Sequence, residues 1–465
     1  MEHPQHTLTS FHSPQLSLES REKRDDGARD LPTHNEEKKR GWHIHPAGES
    51  GRRGFHPLKF VLICFRSSCT LSKAVNVLWP VVPFAFALHF AKPDYHLLNF
   101  ILPYIAMVPS ANLLGFAGGE LANKLPRVIG VMLETTLGSL VELILLIVLV
   151  RRGSKNVPVI KAAILGSILA NLLLCLGLCF FAGGIRREEQ EFHQAISEVA
   201  NGLMLVAGMG LVLPAIFSSA KSTTDNVVNK VLKISRGTSV ILLAAYLVYV
   251  WFQMHSHHSM YNDIFESHKD EVEHKDRKKG RLTASEALVA VVMGIICVTF
   301  MAIFLVDGID FIVEERHIKD AFLGLILVPL VEKAAEHITA VDEAWDGHIN
   351  FALSHVLGSS VQTALLNTPL IVLIGWGIGV PMDLNFEIFD AAVLILAIIV
   401  VGNLMRDGKS NYLEGLLCIF VYLIIAISAF YYPNQEIQRG GIPRGDEGER
   451  NSIFQVGPGM SSTTH

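Results

Sequence analysis

Four residues able to hold charge, Glu332, Lys333, Glu336 and His337, lie inside the apolar stretch 324–376, where a helix facing lipid carries none. A carboxylate at bilayer depth costs about 2.5–3.5 kcal/mol on insertion scales, so acids kept there face a protein interior or a watery cavity and mark ion or proton paths. Glu142 is a second such acid, in GVMLETTLGSLVELILLIVLV (130–150). That segment is followed by a short basic loop and KAAILGSILANLLLCLGLCFFAGG (161–184), just as GLILVPLVEKAAEHITAV is followed by an acidic loop and LGSSVQTALLNTPLIVLIGW. Glu142 matches Glu336: Gly166 follows the first by 24 residues and Gly358 follows the second by 22.

Each unit thus offers one buried acid on its first helix and small or amide residues on its second: Ser167 and Asn171, then Ser359, Ser360 and Gln362. Oxygen donors of this kind suit a hard cation such as Ca²⁺ or Mn²⁺, whereas zinc or copper favours His and Cys. Gly138, Gly166 and Gly358 let helices approach closely or break, freeing carbonyls as further ligands. For the serines and glycines alone, ordinary helix packing stands as the alternative; two isolated acids at equivalent positions are hard to explain as packing. Carboxylates that bind either a cation or protons would couple the two without covalent chemistry. No nucleotide loop, Ser/His/Asp set or His-Glu-x-x-His spacing is present, so a transporter needing no cofactor is expected in place of an enzyme.

The elements that must position these residues are membrane helices. Half of the 465 residues are hydrophobic and 18% charged, the balance of a polytopic membrane protein in contact with lipid. A net charge of −5, with basic residues scattered over loops, speaks against nucleic acid. Eleven apolar runs of a length that crosses a hydrocarbon core lie near 74–91, 97–116, 128–150, 159–182, 196–217, 232–252, 284–305, 321–341, 351–375, 387–404 and 412–431. The expected fold is therefore an all-α polytopic membrane protein. The six cysteines fall mostly within these runs and are taken as small core hydrophobes.

The remaining segments are polar. Residues 1–58, with seven histidines and no secretory signal, are expected to be a disordered cytosolic tail, and 434–465 a second disordered tail. The loop 253–283 mixes acids with five histidines and is taken as a solvated linker between a first membrane half, 72–252, and a second, 284–433. Twelve Lys/Arg up to Lys73 and six in that loop place both on the cytosolic side. With the first span set aside, five helices precede the loop and five follow. An odd number of helices per half reverses its topology, and inverted repeats place a substrate site at their interface near the midplane.

Residues 72–433 resemble the cation/proton exchangers of the vacuolar Ca²⁺/H⁺ antiporter type, within the calcium/cation antiporter superfamily. The matching residues are AAEHITAV (334–341), GSSVQTAL (358–365), GSILANLLLCLGLCFFAGG (166–184) and DGKSNYLEG (407–415). The resemblance implies an eleven-helix fold, one N-terminal helix plus two inverted five-helix repeats, in a vacuolar or other endomembrane. It also implies that the proton gradient loads the compartment with Ca²⁺, with Mn²⁺ as a second substrate. Its paired ligand carboxylates fall on Glu142 and Glu336, surrounded by Ser167, Asn171, Ser359 and Gln362. A homo-oligomer is compatible with the sequence.

The chain departs from that family at the site. The Gly-Asn-x-x-Glu repeat motif reads Gly138-Ser139-Leu140-Val141-Glu142 in one copy and Glu332-Lys333-Ala334-Ala335-Glu336 in the other. A Leu-Asn-Ala-Thr stretch becomes Leu133-Glu134-Thr135-Thr136. Three neutral amides are lost and Glu134, Glu332 and Lys333 gained. Lys333 and Glu336, three apart, are helical neighbours, whereas Lys333 and Glu332 point apart. Lys333 then acts as an internal competitor for the cation, as a permanent plug, or points out of the site. The leading function is Ca²⁺/H⁺ exchange; the alternatives are exchange of Mn²⁺ or a monovalent cation for protons at a site rebuilt by the extra acids and Lys333, and a transport-inactive regulatory partner.

Overall fold

A computed structural model describes residues 44–48, 51–67, 69–125, 127–220, 225–253, 281–316 and 318–432. The expectations for residues 1–43, for most of the 253–283 loop and for the tail 434–465 lie outside the described residues.

A helix or a broken helix occupies each of the eleven expected apolar stretches. After a short helix α1 (Pro57–Arg66) come α2 (Thr70–Ala91), α3 (His96–Ala122), α4 (Arg127–Arg151), α5 (Ser154–Arg186), α6 (Gln194–Ser219) and α7 (Asp225–Trp251). The second half contains α8 (Ala284–Glu314), α9 (residues 320–332), α10 (Ala334–Asp346), α11 (Ile349–Ile378), α12 (Ile388–Leu404) and α13 (Tyr412–Tyr431). Helix is the form these sequences must take in lipid, because it satisfies every backbone group within the segment. Among the described residues, eight helices are long and apolar enough to cross a membrane: α2, α3, α5, α6, α7, α8, α11 and α13. Large apolar side chains such as Phe84, Ile241, Leu288, Leu396 and Ile424 stay exposed on the outer faces, as contact with lipid requires. Among the described residues the one strand pairing is a two-residue antiparallel ladder, β1 (Gln190–Glu191) with β2 (Lys409–Ser410), joining two loops.

Residues 44–48 and 51–56, expected within the disordered tail, pack onto the membrane unit. The cause is Glu286. It lies fully buried in the first turn of α8, closing a capping box with Thr283, and a buried carboxylate needs a cation. Arg52 supplies it through both guanidinium nitrogens, and the His56 amide donates to the same carboxylate at 3.0 Å.

In the core, α8 runs along α3 in the most extensive helix pair, and α5 is the most buried of the eight spans. Around α5 pack α9, α10, α11 and α13. Here the helices are irregular. One π-helical turn, Ala170–Cys175, follows Gly166-Ser167 in α5, and a second, Thr363–Asn367, follows Gly358-Ser359 in α11. A third, Leu323–Leu327, opens α9, and the expected single helix over 321–341 is interrupted at Lys333, between α9 and α10. Widened turns of this kind concentrate at functional sites.

Candidate functional site

The irregular turn in α9 has a local cause. Pro329 lacks an N–H, so the carbonyl of Leu325 four residues earlier has no helical partner. Gly166 of α5 rests on that carbonyl: a β-carbon built at Gly166 would lie 2.2 Å from the Leu325 oxygen. Gly324 answers in kind, since a β-carbon there would lie 2.5 Å from Ala162. The two helices meet backbone to backbone, which brings Ser167 and Asn171 to the break at Lys333. Gly166→Ala is expected to force them apart and lower stability by about 1–3 kcal/mol; an unfolding temperature of the purified variant equal to that of the parent would refute this close approach.

At the break, Lys333 turns inward and is only 1% exposed. Its ammonium lies 3.0 Å from Glu142 Oε2 and 3.3 Å from Glu336 Oε2, and it donates to Ser359 Oγ at 3.2 Å. The two acids expected to pair are thus brought together on one nitrogen. Glu142, on α4, is fully buried; its Oε2 also accepts from Thr363 Oγ1 at 2.8 Å and from Asn367 Nδ2 at 3.0 Å. Glu336, on the first turn of α10, accepts from Ser359 Oγ at 2.9 Å. Gly138 lies next to it, with the Glu336 Oε1 atom 3.6 Å from where a β-carbon would stand, an ordinary van der Waals contact.

The other expected residues divide into those inside this cluster and those beside it. Asn171 Nδ2 donates to Ser359 Oγ at 3.2 Å, and its Oδ1 pairs with His337 Nε2 at 3.0 Å, so these two extend the network into α5. Gln362 is buried on α11. Ser139 and Ser360 turn to their own helices, donating to the carbonyls of Thr136 and Val356. Gly358 does not serve close approach, because a β-carbon there would meet nothing within 4 Å. Glu134 lies on α4, with its side chain outside the described residues. Glu332 and Ser167 are both buried, with the Ser167 hydroxyl beside the Glu332 carboxyl and no other hydrogen-bond partner for either side chain.

Thr363 and Asn367 were not foreseen. They lie four apart, within helical reach of one another, in TALLN directly after Gln362. An asparagine closing an apolar run was the available signal.

Chemically, this is an oxygen-lined, largely buried cluster in which two carboxylates from different halves of the chain share one cation. In a low dielectric such a cluster must carry positive charge, either as a cation or as protons. Here a lysine carries it.

Comparison with known proteins follows the same lines. The family model described as "Sodium/calcium exchanger protein" matches residues 95–255 and 286–431. The chain is 35% identical over 364 residues to "Vacuolar cation/proton exchanger 2" of Oryza sativa subsp. japonica, covering 78% of this chain and 82% of the relative. It is equally identical, over 334 residues, to "Vacuolar calcium ion transporter" of Schizosaccharomyces pombe, covering 72% of this chain and 79% of that protein. Among solved structures, native YfkE superposes with a TM-score of 0.65 at 25% identity, covering 77% of this chain and all of that one. The H⁺/Ca²⁺ exchanger CAX, at 14% identity and a TM-score of 0.56, shares the fold.

Proposed function

The chain belongs to the sodium/calcium exchanger protein family, and from that premise we propose that it exchanges Ca²⁺ for protons across the vacuolar membrane, loading the vacuole with Ca²⁺ from the cytosol. The observation that carries this reading is the convergence of Glu142 and Glu336 on the Lys333 ammonium. An ammonium held by two carboxylates stands where a transported cation would be neutralised.

The charges are consistent with a divalent substrate. Glu142, Glu332 and Glu336 bring three negative charges when ionised and Lys333 removes one, leaving the same two that Glu142 and Glu336 would bring alone. One Ca²⁺ or two protons balance them. Because the same carboxylates serve both, occupancy is exclusive. Acid in the lumen protonates them and expels the cation there, and the protonated carrier returns to the cytosolic side. Ser359 and Asn171 orient the Glu336 side of the site; Thr363 and Asn367 hold Glu142. Mn²⁺, with the same preference for oxygen ligands, is a second substrate.

The membrane architecture in this reading has eleven crossings, α4, the α9–α10 pair and α12 joining the eight apolar spans. The first helix precedes two inverted five-helix repeats, a view supported by the π turns that follow Gly-Ser in both α5 and α11.

One observation favours a second reading. With Lys333 in place, the Glu142–Glu336 pair keeps a single net negative charge, which suits a monovalent cation. Reconstituted vesicles with an acidic interior separate the two. Ca²⁺ uptake that collapses with a protonophore is expected; uptake of Na⁺ or K⁺ in its place would install the second reading, and no flux of any of these or of Mn²⁺ would mark a transport-inactive member.

A further inference from the structure

We propose that the transported cation binds on the Glu332 side of Glu142, between the Glu332 carboxyl, Glu142 Oε1 and the Ser167 hydroxyl, while Lys333 stays on the Glu336 side as a fixed internal counter-cation. The inference rests on the reading of Glu142 as a cation ligand.

Glu142 is used asymmetrically. Its Oε2 takes Lys333, Thr363 and Asn367, and its Oε1, equally buried, has no hydrogen-bond partner. The same is true of both oxygens of Glu332, a residue 2% exposed, and of Ser167 Oγ in a residue with no exposure. Nearly all buried polar atoms in folded proteins find a partner. Four orphaned oxygens on three residues therefore call for one.

These residues are neighbours. The end of α9 that bears Glu332 packs against both α4, which carries Glu142, and α5, which carries Ser167. The Ser167 hydroxyl lies beside the Glu332 carboxyl, and of the charges around Glu332 that of Glu142 acts on it most strongly. Glu332 closes α9 and Lys333 stands in the break before α10, so the two side chains leave the backbone from different segments: Lys333 reaches Glu142 Oε2 and Glu336, and neither oxygen of Glu332 bonds to it. Helix α9 ends there, and the carbonyl end of a broken helix adds partial negative charge. Carboxylate and hydroxyl oxygens alone make a seat for a hard cation. Among the described residues no three His, Cys, Asp or Glu groups surround one metal position, and the proposed seat has two carboxylates and a hydroxyl.

This arrangement accounts for two neighbouring residues at once. Lys333 cancels one charge of the Glu142–Glu336 pair, and Glu332 returns it on the other side of Glu142.

Equilibrium binding of ⁴⁵Ca²⁺ to the purified full chain in lipid nanodiscs tests the seat, with Mn²⁺, Na⁺ and K⁺ as competitors. Glu332→Gln is expected to weaken Ca²⁺ about tenfold or more, Ser167→Ala by a smaller factor, and Glu336→Gln less than Glu332→Gln. Glu332→Asp, which keeps the charge, should retain more affinity than Glu332→Gln; with Ser167→Ala it carries the test if the glutamine variant does not fold. Unaltered Ca²⁺ binding in Glu332→Gln and Ser167→Ala overturns the seat and leaves Ca²⁺ exchange standing. Competition won by Na⁺ or K⁺, and lost in Glu332→Gln, overturns Ca²⁺ as substrate and leaves the seat standing. A parent chain that binds none of the four overturns both.

Discussion

Glu142→Gln is expected to reduce proton-driven cation uptake by about 100-fold or more at saturating substrate. Glu142 is the one side chain that touches Lys333, Thr363 and Asn367 together and, in the proposed seat, the cation as well. A glutamine keeps the shape and can still accept from Thr363 and Asn367. It cannot exchange a proton for a cation, and it leaves the Lys333 ammonium with Glu336 as its one carboxylate partner. Breaking a buried charge pair costs about 3–5 kcal/mol. At 1.4 kcal/mol per factor of ten, that is at least the stated loss if even the lower figure falls on transport. Initial rates of ⁴⁵Ca²⁺ uptake into vesicles, normalised to folded protein, measure it. A variant retaining a tenth of parental uptake would place the exchange elsewhere in the molecule.

The positions of the helices were legible in the sequence because lipid demands long apolar runs, and every such run is helical. Glu142, Glu336 and Ser359 were legible for a related reason: charge and hydroxyls inside those runs are conspicuous. What periodicity does not carry is local irregularity. Counting residues at 100° each cannot decide whether Lys333 or Glu332 faces Glu142 once a π turn at Leu323–Leu327 and a break at Lys333 have reset the register. The same is true past Thr363, where a widened turn brings Asn367 onto Glu142. Pro329 was the visible warning, although a proline alone does not say which carbonyl it frees for a neighbour. The N-terminal boundary was misjudged because Arg52 sits in a polar stretch, and its partner Glu286 lies 234 residues away.

Lys333→Ala provides the second large effect, on stability and its dependence on cations. In the parent, the buried ammonium bridges Glu142 and Glu336 and cancels one of their two charges. Alanine leaves the two carboxylates facing each other uncompensated, and removing one partner from a buried ion pair destabilises by about 3–5 kcal/mol. The unfolding temperature of the variant in a chelator should fall well below that of the parent. Ca²⁺ should then restore much of the loss, because a ligand at 100 times its Kd adds about 2.7 kcal/mol to the state that binds it. In the parent the Glu142–Glu336 position is already filled by the lysine, so Ca²⁺ acts there only through the Glu332 side and stabilises by less. Thermal unfolding of both proteins, with and without Ca²⁺, gives four temperatures and one decisive difference. If Ca²⁺ raises the variant no further than the parent, Lys333 is not occupying a cation's place, and its contacts with Glu142 and Glu336 are packing alone.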